Sequence, residues 1–359
     1  MDLRQIYGEK QDGLVEIGKH ASSDTLGVYV DLTKLVLRHA AILGSTGSGK
    51  SNTTACILKN IIHGYDGARI VLVDPHGEYA SAFQNDANVF RIGDSANPLQ
   101  IPYWAMNFDE LSYFLVGRTE GQEKPEDKEL REKIVEMKKQ AASTLVSGAI
   151  DELYVTADSP IPFDIKQMWY DFDRKVNGTY KQADIAQQTQ ENEELEDAGD
   201  PVKLIPARFK PYAMGNVAPH KSKHQTMATY VKKIISRLRD SRYEFMFNPK
   251  EYANNGTKDL NDLIASWIDT DKKLTILDLS GIPFELIDIS VGLITRIIYD
   301  SMYWGKNQNF TGRGRPILLA YEEAHSYLPK SESSAHVYGY ARKAVEKIFF
   351  RLKLELIKI

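Results

Sequence analysis

Ala40-Ala-Ile-Leu-Gly-Ser-Thr-Gly-Ser-Gly-Lys50-Ser51, with the run that continues to Ile62, is the stretch on which the reading of this chain turns. Its apolar opening predicts a short buried strand, its glycines a tight loop, and its continuation a helix. Gly44, Gly49, Lys50 and Ser51 fit the spacing G-x-x-x-x-G-K-[ST]. In that pattern glycines let backbone N–H groups curl round phosphate oxygens without a Cβ clash, and the positive end of the helix points at the same place. The lysine then bridges the β- and γ-phosphates, and the hydroxyl after it sits on Mg²⁺. The candidate nucleotide-binding residues are therefore Gly44, Ser45, Thr46, Gly47, Ser48, Gly49, Lys50, Ser51 and Asn52. A phosphate loop implies a nucleotide but not a task, since kinases, switches and motors all use one.

Outward from this stretch, composition narrows the class. A chain of 359 residues is long enough for one large α/β domain or two moderate ones. Its single cysteine, Cys56, excludes a disulfide within the chain and is expected to be a small buried group. No apolar run has the length of a membrane span, and Met1-Asp-Leu-Arg has no signal pattern, so a cytoplasmic protein that uses no membrane is expected. The net charge of −4 excludes a polycation, and any nucleic acid must be met by a local basic surface.

Three further apolar runs end in acidic residues. Arg69-Ile-Val-Leu-Val-Asp-Pro-His-Gly-Glu-Tyr79 predicts a strand covered on both faces, with Asp74, His76 and Glu78 at its carboxyl end, near the phosphate loop. Leu274-Thr-Ile-Leu-Asp-Leu-Ser280 predicts another, with a structural Asp278. Pro316-Ile-Leu-Leu-Ala-Tyr-Glu-Glu-Ala-His325 predicts a third, from which Glu322 and Glu323 emerge.

The segment from Arg38 to Asn52, followed by Val73-Asp-Pro-His-Gly-Glu-Tyr79, resembles the HerA family of DNA-translocating ATPases, relatives of FtsK and of conjugation motors. The resemblance implies a RecA-like α/β core with a mostly parallel sheet. In motors of this class the first acidic residue supports Mg²⁺ and the second polarises the attacking water. By position Glu322 takes the metal role, joined by Ser51 and Asp74, while Glu323 and Lys50 are catalytic; His325 either relays the γ-phosphate state or holds the turn. A trans-acting arginine is expected of the family beyond the matched motifs, and Arg342, or less well Arg351, is the nearby substitute.

Residues 39–104 and 266–359 are expected to form the core, and 105–265 a mainly helical insertion. Within it, 182–200 is acidic and polar and predicts a mobile loop. Thr226 to Arg239 predicts a helix with Met227, Tyr230, Val231, Ile234, Ile235 and Leu238 on one face and Lys232, Lys233, Arg237 and Arg239 elsewhere. Those cations either decorate a surface or track the phosphates of a DNA held in a ring. Residues 1–38 hold two alternating stretches, too little for the β-barrel usual in the family. Phe349 to Ile359 alternates apolar and charged residues where the family continues its core, so both ends are expected to be shortened. Together these features imply an ATP-driven double-stranded DNA translocase, hexameric and paired with a nuclease or an antiphage effector. The alternative is an ATP-binding ring scaffold that displays a partner enzyme with weak hydrolysis.

Overall fold

The computed structural model describes residues 11, 13–31, 34, 39–119, 121–146, 148–305, 315–328 and 339–356, with the last helix's side chains described as far as 348. In chain order the first elements are β1 (Leu14–His20), β2 (Ser23–Asp31), α1 (Lys50–Gly64), β3 (Ile70–Asp74) and β4 (Ala87–Arg91). Then come α2 (Phe108–Val116), α3 (Pro125–Ala142), α4 (Ile165–Asn177), β5 (Thr179–Tyr180), β6 (Leu195–Asp197), β7 (Arg208–Phe209), β8 (His220–Lys221) and α5 (Ala228–Leu238). The chain continues through α6 (Leu260–Ile268), β9 (Leu274–Asp278), α7 (Phe284–Trp304), β10 (Leu318–Tyr321) and α8 (Tyr340–Leu356). Two compact units result, one from Met1–Leu99 with Ile264–Ile359, the other from Gln100–Leu263.

The first unit is α/β, built on a parallel sheet in the order β10-β3-β9-β4. Every residue of β3 and β9 is buried, as continuous apolar runs require when helices cover both faces. The register aligns Asp74 with Asp278 and Asp278 with Arg91. Tyr321 pairs with Val73, and the Glu322 N–H donates to the Val73 carbonyl (3.1 Å), so Glu322 falls level with Asp74. Three carboxylates and one guanidinium thus form a row along the carboxyl edge. Beneath it, Leu58, Ile61 and Ile62 of α1 pack with Ile70, Leu72, Leu274 and Ile276. The hairpin β1–β2 is antiparallel, and Asn60 of α1 donates to the Glu16 carbonyl.

α8 is fixed to α7 by two devices. Asp288 of α7 accepts from the Tyr340 and Ala341 N–H groups (3.2 and 3.0 Å), capping the first turn of α8. Gly292 permits the approach, because a Cβ there would meet the Tyr340 carbonyl carbon at 2.8 Å.

The second unit is helical with an aromatic core, in which Phe114 meets Tyr243 edge-on (5.4 Å) and stacks on Phe247 (5.2 Å). Leu130, Ile134 and Met137 form the buried face of α3, and Tyr230, Val231, Ile234 and Leu238 that of α5. Lys138 is wholly buried, and its ammonium donates to the carbonyls of Ala157 (2.7 Å) and Ser159 (2.6 Å).

Four expectations change. Residues 40–43 form no strand: Ile42 and Leu43 are exposed, and the outer edge of β10 has no paired strand among the described residues. An apolar run becomes a strand only where a neighbour supplies its ladder. Cys56 is exposed, because it stands two residues, about 200° of helix, from the buried Leu58. The stretch 182–200 is not a featureless loop; β6 pairs with β7, and Glu193, Glu194 and Asp197 meet Arg174, Lys210 and Arg208. Nearby cations supply the compensation that composition alone cannot reveal. The run from Phe349, despite its alternation of apolar and charged residues, continues α8 to Leu356. Arg38 lies outside the described residues, and Arg351 outside those with described side chains.

Candidate functional site

The phosphate loop closes on itself before α1 begins. The Ser48 N–H donates to the Ser45 carbonyl (3.1 Å), and Gly47 and Gly49 take φ values of +78° and +87°, a conformation that side chains resist. At Gly44 a Cβ would meet Ser48 Oγ at 2.3 Å, so a side chain there would have to displace that hydroxyl. Gly49 caps α1, so Lys50, Ser51 and Asn52 form its first turn, where the unpaired N–H groups and the helix dipole favour an anion.

Ser51 and Glu322, 271 residues apart, meet at this turn: Ser51 Oγ donates to Glu322 Oε1 at 3.2 Å. Glu322 is buried, and its other oxygen accepts from the Tyr79 phenol at 2.6 Å. The Tyr327 hydroxyl donates to the Glu322 carbonyl (2.6 Å), so the backbone beneath the carboxylate is held as well. Burial, and after it the bond to Glu322, pushes the Tyr79 phenol above its ordinary value, and burial does the same to Tyr327. Both phenols remain donors over the whole neutral range.

Glu323 follows with a φ of +47° and ψ of +38°, a left-handed backbone that costs a residue with a Cβ roughly 1 kcal/mol. Its Oε2 lies 2.9 Å from Nδ1 of the exposed His325, and the Ser326 N–H and hydroxyl bind its carbonyl (2.9 and 2.8 Å). His325 thus contacts the neighbouring carboxylate directly.

Asp74 has both carboxylate oxygens engaged within its own turn. Its Oδ1 accepts from the His76 and Gly77 N–H groups (3.2 and 2.9 Å) and its Oδ2 from Tyr79 (3.0 Å), which makes it the clasp of its own turn. Burial first, and the Asp278 charge less, raise its carboxyl above the usual range against the pull of those bonds. His76 and Glu78 project into solvent. Gly77 takes φ +70° with Asp278 Oδ1 and Ser280 Oγ each 2.9 Å from where a Cβ would stand. Asp278 is structural as expected, paired with Arg91 (2.6 Å) and accepting from the Ser280 hydroxyl (2.6 Å). Arg342 pairs with Glu346 one turn along α8 (2.8 Å).

Sequence reasoning missed Tyr79, Tyr327 and Arg91. Tyr79 carries a signal, as the aromatic that closes Asp-Pro-His-Gly-Glu-Tyr, but residue type alone points to the ionisable groups before it.

A hydroxyl and a carboxylate oxygen at the mouth of a phosphate loop form a hard-oxygen donor set, which suits Mg²⁺ held jointly by protein and phosphates. Among the described residues no helix is long and apolar enough to cross a membrane.

Comparisons with known proteins give the chain a family. The family model described as Helicase HerA, central domain, matches residues 15–298. The DNA double-strand break repair helicase HerA of Saccharolobus solfataricus is 24% identical over 99% of this chain and 56% of its own length. Its counterpart in Pyrococcus furiosus is 42% identical over 79 residues, 22% of this chain and 14% of its own. The VirB4 structure from Thermoanaerobacter pseudethanolicus aligns with a TM-score of 0.46 at 11% identity, covering 95% of this chain and 84% of that one. The chain therefore spans little more than half the length of the curated relative that it matches end to end. With well over half of its residues inside the matched model, the chain belongs to the HerA helicase central-domain family.

Proposed function

We propose that this chain is the ATP-hydrolysing core of a motor that moves along double-stranded DNA as a ring, of six subunits, beside a nuclease or antiphage effector. The observation that carries the ATPase reading is the contact between Ser51 and Glu322, which joins the phosphate loop to an acidic strand end. In this reading the turn at Lys50 binds the phosphates, with Lys50 neutralising the β- and γ-oxygens. Ser51 and Glu322 would hold Mg²⁺, which supplies charge neutralisation at the phosphates when bound. Glu323 receives the proton of the attacking water and is oriented for it by its left-handed backbone and by His325. Arg342 acts on the nucleotide of a neighbouring subunit.

The resemblance and the names of the relatives supply the DNA part of the reading. ATP turnover with and without long duplex DNA at low salt tests it, and stimulation is the expected result. One observation favours the scaffold instead: many cations of the second unit are already engaged. Lys203, Arg208 and Lys210 pair with Asp200, Asp197 and Glu194; Lys233, Arg237 and Arg239 bond to Val116, Tyr243 and Leu204. Turnover or nucleotide-driven assembly that duplex DNA leaves unchanged would select the scaffold. Light scattering with and without nucleotide measures the ring directly.

A further inference from the structure

We propose that Tyr79 is a positioning residue for the metal site: its phenol holds Glu322 in the orientation that lets it serve Mg²⁺ together with Ser51. This rests on the reading of Ser51 and Glu322 as the metal-supporting pair and adds a residue to it.

The geometry is specific. Glu322 has two carboxylate oxygens, of which Oε1 faces Ser51 (3.2 Å) and Oε2 receives the Tyr79 hydroxyl (2.6 Å). A carboxylate with one oxygen tied to a donor on a different element cannot swing about its last torsion, so the lone pairs of the other oxygen keep a fixed aim. The donor itself is fixed. The Tyr79 ring is buried and stacks on Phe83 with 6.5 Å between centroids, and its N–H is bound by Asp74 (3.0 Å). Through Glu322, whose other oxygen accepts from Ser51, Tyr79 is linked to the first turn of α1 as well as to the end of β10. The Asp-Pro-His-Gly-Glu-Tyr turn gains a purpose from this: Asp74 clasps it, Gly77 lets it bend against Asp278, and Tyr79 is what it delivers.

When Ser51 lends an oxygen lone pair to a metal, its hydrogen still has Glu322 Oε1 as acceptor. That arrangement lasts only while Glu322 does not rotate to seek another donor. The Tyr79 bond removes the alternative.

The test is nucleotide affinity as a function of metal. ATPγS binding to the full chain is measured in Mg²⁺ and in EDTA, and the ratio of the two affinities is the metal increment. Tyr79→Phe keeps the ring against Phe83 and removes only the hydroxyl. Its expected effect is a fall in the increment of about 10-fold, as for loss of a group that orients a metal ligand, with affinity in EDTA unchanged. In a Glu322→Gln chain, adding Tyr79→Phe is expected to change the increment no further, because the phenol acts through the carboxylate. An unchanged increment in Tyr79→Phe, an equal fall in Mg²⁺ and in EDTA, or additive losses in the double variant would each overturn the proposal. An unmodified chain with no Mg²⁺ increment would overturn the reading of Ser51 and Glu322 itself, and the proposal with it.

Discussion

In the first unit, buried charge collects along one edge of the sheet, where Glu322, Asp74 and Asp278 stand on neighbouring strand ends and Arg91 closes the row. In the second, the most completely buried charge, Lys138, is enclosed by the carbonyls of Ala157 and Ser159. The partners tell the two apart. Side chains from other elements hold Glu322 and Asp278, and the N–H groups of its own turn hold Asp74; of the three, Glu322 is the one bonded to the helix terminus, where a ligand would be felt. Backbone carbonyls and the Phe163 ring (5.7 Å to its centroid) hold Lys138, so the charge ties residues 157–163 to α3. Burial of charge by itself thus says little about function; the origin of the compensating groups says more.

This contrast can be broken in order of effect. Glu323→Gln is expected to lower ATP turnover by about 10² to 10⁴-fold, the range of a lost general base, while ATP binding and the melting temperature stay as they were. A variant that loses binding along with turnover would show that Glu323 is structural, like the charges of the second unit. Lys138→Met keeps the volume and leaves the buried Ala157 carbonyl without its donor, while the Ser159 carbonyl keeps the Ile161 N–H (2.8 Å), at a cost of about 2 kcal/mol. Urea denaturation measures it, and ATP affinity below the transition should be unchanged.

Gly77→Ala sharpens the comparison inside the first unit. The substituted residue must hold φ +70° with its Cβ against Asp278 and Ser280, which costs about 2 kcal/mol in a denaturation midpoint. The smallest effect concerns pH. The Asp74 carboxyl is raised in the folded state, chiefly by burial, so the folded chain binds its proton more tightly than the unfolded chain. Its contribution to stability is full below the unfolded value and is lost as pH rises through the folded one. The stability difference between the unsubstituted chain and Asp74→Asn should therefore shrink with rising pH across the acidic range, as urea midpoints at a series of pH values would record. A difference independent of pH would count against it.

The parts of this architecture legible in the sequence are those governed by local pattern. Ile70 to Val73 and Leu274 to Leu277 announce buried strands because a strand covered on both faces has no polar alternation to hide it. The loop at Gly44 to Ser51 is visible because its backbone excludes most residue types. Non-local effects were not legible. Residues 40–43 read as a strand from composition, yet pairing needs a neighbour that no local pattern reports. The acidic stretch at 182–200 read as mobile because its cations, Arg174, Arg208 and Lys210, are supplied from outside it. In the site, residue types pointed to carboxylates, whereas the phenol that orients one of them was passed over because an aromatic is ordinarily packing. Asp74 was expected at a metal, but its lone pairs face the turn's own N–H groups, a matter of backbone direction that composition does not carry.

The clasp between α7 and α8 has a consequence for Arg342. Since Asp288 and Gly292 hold the opening turn of α8 against α7, the place of that arginine is tied to the preceding long helix. A one-residue slip of α7 would carry Arg342 with it by roughly 1.5 Å, so the two helices form a single lever for whatever that guanidinium reaches.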